Sequence, residues 1–264
     1  MQTNLFDSTE RQTTTETPIV GMQCCSQPFV LVGCEESQAV TIELRKRNIN
    51  AFSCDLKPCS GGHPEWHLQM DVFEAIKLRK WDGGIFFPDC TYLTISAEWA
   101  YTDGPYHQKV KPGTLVGAVR REAREKAIEF AQRLFNSGIS KIAMENPVGV
   151  LSSRFRKPDQ IIQPYEFGDD ASKKTCLWLK GLPTLKPTDY IEGRLVCCDM
   201  EMDEALGKYG CPNCEGENIA KRRWGNQTNS GQNKLSPGEK RAELRSKTYP
   251  GIARAMAEQW AVFF

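Results

Sequence analysis

Short apolar runs that stop abruptly at polar residues recur along the chain and set its expected architecture. Pro28 to Gly33, Asn50 to Asp55, Trp81 to Leu93, Ile139 to Met144 and Thr175 to Leu179 each read as a strand, and continuous apolar character marks strands buried on both faces. Between them, Ser37 to Arg47 places Ala39, Val40 and Leu44 at helical spacing. Val119 to Asn136 does the same with Ala123, Ala127, Phe130, Ala131 and Leu134, and its charges read as a solvated face. A closing helix, Tyr249 to Phe264, sets Ile252, Ala255, Met256 and Trp260 on one side. Strands alternating with helices predict an α/β fold. In an open sheet of that kind ligands bind beyond the carboxyl ends of the strands. Pro88, Asp89 and Cys90 end one run there, and Glu145, Asn146 and Pro147 lie at the tip of another.

The same pattern divides the chain. Residues 1–27, rich in Thr, Gln and Ser, read as a flexible leader, and 28–180 as the core domain. Within the core, 57–67 is a Pro- and Gly-rich loop, and Gly149 to Tyr165 is irregular with a basic cluster at Arg154, Arg156 and Lys157. Tyr92, Trp99, Tyr101 and Tyr106 follow Cys90 in a loop that could close over a substrate or simply pack. His63 and His67 read as structural or substrate-loop residues, because no third ligand accompanies them. Residues 181–234 change character: long apolar patterns fade, and Cys197-Cys198 precedes Cys211-Pro-Asn-Cys214, half of a zinc knuckle. Residues 235–264 then return to the core.

Composition narrows the class. The chain has 264 residues, 40% of them hydrophobic, enough for one main core and a small appendage. Its 11 cysteines are scattered through apolar runs, which favours thiols and metal ligation in a reducing compartment over a disulfide framework. No membrane span or secretory segment is expected, so the expected setting is cytoplasmic and the expected state a monomer. The net charge of +1 selects no partner. Locally, Lys221 to Lys247 holds eight Lys or Arg against two Glu, with Arg222 and Arg223 beside Trp224, a composition suited to phosphates or to a solvated surface.

The order of these signals resembles that of the DNA cytosine-5 methyltransferases, and more closely their compact, phage-borne relatives. The resemblance runs from Phe29 to about Trp260. Pro88-Asp89-Cys90 resembles the Pro-Cys nucleophile motif and Glu145-Asn146-Pro147 the Glu-Asn motif. Val32-Gly33 through Glu35 resembles the S-adenosylmethionine loop, Asp55 the ribose-binding acid and Asp71 the acid near the adenine. Phe167-Gly168 through Lys173, Lys174 and Thr175 to Leu179 resembles the later substrate-binding strand, and Leu235 to Arg241 the motif after the recognition region. The chain departs from the pattern in lacking the extra cofactor-loop glycines. It also carries Asp89 where a second proline is common, Pro147 for valine, and lysines where arginine is usual.

What the resemblance implies is a Rossmann-like methyltransferase fold with a small, zinc-stapled target-recognition insertion, acting in a bacterial host cell. Cys90 would be the nucleophile at cytosine C6 and Glu145 the partner of N3. Gly33, Glu35, Asp55, Asp71 and Pro88 would hold S-adenosylmethionine. Asn146, Lys173, Lys174, Arg222 and Arg223 would hold duplex DNA with a flipped cytosine, and Cys197, Cys198, Cys211 and Cys214 a structural zinc ion. A related pyrimidine-modifying enzyme with another one-carbon donor or an RNA or nucleotide substrate, and an inactive zinc-containing DNA-binding protein, are the alternatives.

Overall fold

The computed structural model describes residues 27–95, 97–198, 200–202, 220–235 and 247–264. In chain order the main elements are β1 (Phe29–Gly33), α1 (Ala39–Arg45), β2 (Asn50–Asp55), β3 (His67–Gln69), α2 (Val72–Lys77), β4 (Gly83–Phe86), α3 (Gly117–Phe135), β5 (Ile142–Pro147), α4 (Leu151–Arg154), β6 (Gln160–Ile162) and β7 (Thr175–Lys180). β8 (Arg194–Cys197), β9 (Met200–Met202), β10 (Lys221–Arg223) and α5 (Pro250–Trp260) follow.

Seven strands form one sheet in the order β3-β2-β1-β4-β5-β7-β6. Neighbours from β3 to β5 are parallel, and β7 runs antiparallel to both β5 and β6. This mostly parallel sheet is compatible with a Rossmann-like fold, with the strand order reversing between β1 and β4. Alternation along the strands explains their unbroken apolar runs. Val30, Val32, Ile85, Ala143 and Leu177 face a layer containing Val40 and Leu44 of α1 and Ile252, Met256 and Trp260 of α5. The intervening Leu31, Phe86, Ile142, Met144, Cys176 and Trp178 face Val72 and Ala75 of α2 and Ile128, Ala131 and Leu134 of α3. Both faces are covered, as parallel strands require.

Four expectations need correction. Of the run Trp81 to Leu93 only Gly83–Phe86 is strand. Pro88 has no backbone N–H to offer a ladder, and the chain instead curls so that Leu93 N and Thr94 N both donate to Cys90 O, at 3.0 and 3.2 Å. β5 does not stop at Met144: its antiparallel register with β7 continues through Glu145 opposite Leu177 to Pro147 opposite Thr175, placing Glu145 within the strand. The stretch 149–165 contains α4 and β6. α2 was not expected at all; its six residues bury only Val72 and Ala75, too few for a periodic signal, and Asp71 caps it by accepting from Phe73 N and Glu74 N.

A separate antiparallel sheet, β10-β8-β9, lies within the expected insertion. α5 then returns to α1, where Arg47 meets Glu258 at 2.5 Å. Gln259 exchanges two 2.8 Å hydrogen bonds with the Lys186 backbone, and Trp260 Nε1 donates to Pro183 O at 2.9 Å. No helix among the described residues is long and apolar enough to cross a membrane.

α5 enters its groove so closely that a Cβ on Gly251 would lie 1.8 Å from Phe167 O, while Gly251 N donates to Asp169 Oδ2 at 2.9 Å. Backbone cannot yield as a side-chain end can. Gly251→Ala is therefore expected to cost about 2 kcal/mol by overpacking, lowering the melting temperature by roughly 4–8 °C. Thermal unfolding followed by circular dichroism checks this, and an unchanged midpoint would contradict it.

Candidate active site

Because β1 to β5 are parallel, their carboxyl ends share one edge of the sheet. Across that edge, in strand order, come Asp71 beyond β3, Asp55 ending β2, Gly33 ending β1, Pro88 to Cys90 beyond β4, and Glu145 and Asn146 near the end of β5. The reversal of β7 matters here. Its first residue, Thr175, pairs with Pro147, so the preceding Lys173 and Lys174 arrive at the same edge.

The turn bearing Cys90 is held on both sides by β5 and the residues just after it. Upstream, Asn146 Nδ2 donates to Pro88 O at 2.7 Å. Downstream, Val150 N donates to Leu93 O at 2.8 Å and Thr94 bridges Gly149. A Cβ at Gly149 would lie 2.1 Å from Leu93 O, so the close approach of these two chains depends on glycine there. Asn146 is 1% exposed, and its Oδ1 has no hydrogen-bond partner. Strand alternation turns it to the sheet face opposite Glu145. Its observed work is to fix the Pro88 carbonyl.

Electrostatics at this end favour protonated groups. Burial raises the Cys90 thiol pKa, neighbouring Asp89 adds to the rise, the Lys173 ammonium opposes it, and Glu145 raises it further. Glu145 is half-buried and likewise raised by desolvation, again opposed by Lys173. The arrangement thus holds a thiol, a carboxylic acid and one ammonium within electrostatic reach of one another. Lys174 is exposed beside them.

The loop after Cys90 rests on α3, and this corrects the solvated-face expectation for that helix. Arg124 Nε donates to Tyr92 O at 3.0 Å, its Nη2 reaches Thr94 O and Glu98, and its guanidinium lies 3.3 Å over the Tyr101 ring. Arg121 bonds Tyr101 O and Asp103. Arg120, only 8% exposed, lies over the Tyr92 and Tyr101 rings and donates to Leu115 O. Guanidinium on aromatic faces is a favourable cation–π arrangement. A sequence signal existed: arginines at 120, 121 and 124 share one side of a helix beside a tyrosine-rich loop.

On the other half of the edge, Gly33 is required by packing, since a Cβ there would sit 2.6 Å from the Phe86 ring and 2.7 Å from Val72. Glu35, 3% exposed, turns inward. Its Oε1 accepts from Val40 N at 2.6 Å and its Oε2 from Thr41 Oγ1 at 2.7 Å, occupying the amino terminus of α1. Asp55 Oδ1 accepts from Lys57 N at 2.9 Å. The thiols of half-buried Cys34 and buried Cys54 are raised by desolvation and by the acids nearby, Cys54 to about 12, which disfavours the nucleophilic thiolate of either. His67 bridges Ser53 Oγ and Lys57 O, and His63 stacks on Trp66, which are structural placements.

A scan against family models and a search of curated proteins find no match. The site's meaning therefore rests on its own chemistry.

The insertion reaches this edge through residues 220–235. Trp224 stacks on Tyr165 at 4.1 Å, Gly225 N donates to Asp170, and Asn226 exchanges two 3.0 Å hydrogen bonds with the Ser172 backbone. The two arginines expected to hold DNA are engaged within the protein. Arg222 meets Glu192 at 2.5 Å and donates to Gly193 O, and Arg223 donates to Asn229 O. Cys197 is buried on β8 with its sulfur 3.9 Å from that of Cys198; Cys211 and Cys214 lie outside the described residues. Among the described residues no group of three or more His, Cys, Asp or Glu could hold a metal ion.

Glu35 gives a pH test. Burial raises its pKa from 4.5 to about 7 against the opposing hydrogen bonds of Val40 and Thr41. A group raised on folding favours the protonated state, so its contribution is full below pH 4.5 and is lost as pH rises through 7. Glu35→Gln, which keeps an acceptor for Val40, is expected to flatten the fall in stability across that window. Urea unfolding at several pH values measures it, and parallel curves for the two proteins would refute the assignment.

Proposed function

We propose that this chain is a DNA cytosine-5 methyltransferase acting through a covalent adduct of Cys90 with C6 of the target base. The observation that carries the reading is the paired presentation of Cys90 and Glu145 from adjacent parallel strands, tied by Asn146 to Pro88 and by Val150 to Leu93, with Lys173 brought alongside by the reversed β7.

Cytosine C5 is a poor nucleophile until a group adds at C6. The Cys90 sulfur forms that bond, and its proton is released. Electron density then moves onto C5 and toward N3, where Glu145, whose protonated form desolvation favours, shares its proton. When the C5 proton later departs, the 5,6 double bond re-forms and the Cys90 sulfur leaves. The resting thiol is raised, so substrate entry must supply part of the activation, and Lys173 is the cation at hand to stabilise the thiolate. Both groups are only half-buried at the sheet edge, and a base stacked in a duplex must be extruded to reach them, at a cost of a few kcal/mol.

S-adenosylmethionine, when bound, supplies an electrophilic methyl group. The residues fit it in one specific respect. In dinucleotide-binding folds the first helix presents free amides to a pyrophosphate; here the Glu35 carboxyl fills that position at Val40 and Thr41. A cofactor without phosphates suits such a loop. Asp55 would hold the ribose hydroxyls, and Asp71 would stand near the adenine.

The insertion is read as a zinc-stapled recognition region that holds duplex DNA. A tetrahedral zinc with sulfur ligands at about 2.3 Å sets its sulfurs about 3.8 Å apart, and the Cys197 and Cys198 sulfurs are 3.9 Å apart. Cys211 and Cys214 would complete the set. Elemental analysis of protein purified without chelator is expected to give one zinc per chain, lost in Cys211→Ser/Cys214→Ser. Zinc-free wild-type protein would overturn this.

For the reaction, duplex DNA containing 5-fluorocytosine is expected to form a complex that survives denaturing electrophoresis when S-adenosylmethionine is present, because fluorine cannot leave as a proton does. Cys90→Ser is expected to abolish the complex while retaining DNA binding, and Glu145→Gln to slow its formation at least tenfold, as loss of a general acid does. Methylation by Cys90→Ser would sink the mechanism.

A further inference from the structure

Lys173 is the cation whose charge acts on both reacting groups, so its effect depends on which contacts fix the peptide that carries it. Two amide side chains do so. Gln163 Oε1 accepts from Lys173 N at 2.9 Å, from the core side. From the insertion side, Asn226 closes a ring with the residue before it: Ser172 N donates to Asn226 Oδ1 and Asn226 Nδ2 donates to Ser172 O, each at 3.0 Å. The surroundings of Asn226 are built to hold it there. Trp224 stacks on Tyr165 and donates through Nε1 to Ile191 O, and Gly225 N is bonded to Asp170 Oδ1 at 2.7 Å. A Cβ on Gly225 would lie 2.5 Å from that same carboxylate, so this segment and the 170–173 loop meet at backbone distance.

We infer that Asn226 is a positioning residue: through its paired hydrogen bonds to Ser172 it sets the Lys173 ammonium against Cys90 and Glu145, so that the seating of the recognition insertion governs the reactivity of the nucleophile. Among the described residues, the charged groups acting on the Cys90 thiol are Asp89 on its own turn, Glu145 from β5 and Lys173 from the loop before β7. Of these three only Lys173 favours the thiolate. Displacing it leaves burial and two carboxyl groups opposing ionisation, against only the hydrogen bond of the Cys90 backbone N–H among the described residues. An insertion seated on its target would keep the cation in place, and one that is not seated would leave the thiol protonated and inert. This coupling rests on the reading of Cys90 as the nucleophile, but its direct test requires no substrate.

The test is the pH dependence of Cys90 alkylation by iodoacetamide, followed by mass spectrometry of the Cys90 peptide in the full-length protein. Lys173→Gln is expected to move the midpoint to higher pH by about half a unit or more, the sign expected when a stabilising cation is removed. Asn226→Ala should move it in the same direction, and the double variant should move no further than Lys173→Gln alone, because both changes act through one ammonium. If Asn226→Ala fails to fold, as judged by circular dichroism, Asn226→Gln supplies the comparison, since its longer chain cannot close the same ring. An Asn226 midpoint equal to wild type, or full additivity in the double variant, would overturn the inference. The 5-fluorocytosine complex is scored separately: its absence from wild-type protein alongside a shifted midpoint would reject the methyltransferase reading and leave the positioning role standing.

Discussion

Two chain crossings, Asn146 to Pro88 and Val150 to Leu93, are the constraint on which the candidate site depends. A strand-end turn carrying a thiol would ordinarily be a loop free to vary in conformation. Here it is held before Cys90 by the strand that carries Glu145 and after it by the segment that follows that strand. Relative position is thereby set by short hydrogen bonds in buried surroundings, where an unpaired carbonyl would cost about 1–3 kcal/mol. Hydrogen bonds of that kind order a site more than they stabilise a fold, because the alternative is a desolvated, unsatisfied group.

The reversed β7 does the complementary work. A parallel strand at that position would deliver its carboxyl end, and with it Lys180, to the active edge. The antiparallel one delivers its amino end and therefore Lys173. The direction of one strand accordingly determines which lysine faces Cys90, and it also brings the 170–173 loop to where the insertion can bind it.

Much of this was readable from residues alone, for a physical reason. Strands covered on both faces give continuous apolar runs, and the acid, thiol and amide groups stand out because they end such runs. What escaped notice has equally specific causes. α2 buries two residues and β6 has three, too few to make a period. The direction of β7 is invisible because Thr175 to Leu179 reads alike both ways as a buried run. The arginines of α3 looked solvated because their partners, Tyr92 and Tyr101, lie about 20 to 30 residues earlier in the chain. Asn226 is 54 residues from Ser172, a separation at which no local pattern could join them. The inward turn of Glu35, an acid that had looked like a cofactor contact, depends on Cys34 and Gln38 both adopting left-handed backbone conformations, which residue type does not announce.

The packing of α5 on α1 has a consequence for how the chain is made. Val30, Val40 and Leu44 share a core with Ile252, Met256 and Trp260, and the ion pair sealing that contact spans 211 positions. During synthesis the opposite face of the sheet can be covered by α2 and α3 as they emerge, but this face has only α1 until α5, nearly all the rest of the chain later, completes it. A nascent protein of this topology passes through a long interval with one wall of its sheet only partly covered and open to association with other chains. High contact order of this sort slows folding more than it alters final stability. Expression of the protein should therefore be sensitive to translation speed and chaperone supply in a way that the finished, two-sided structure does not reveal.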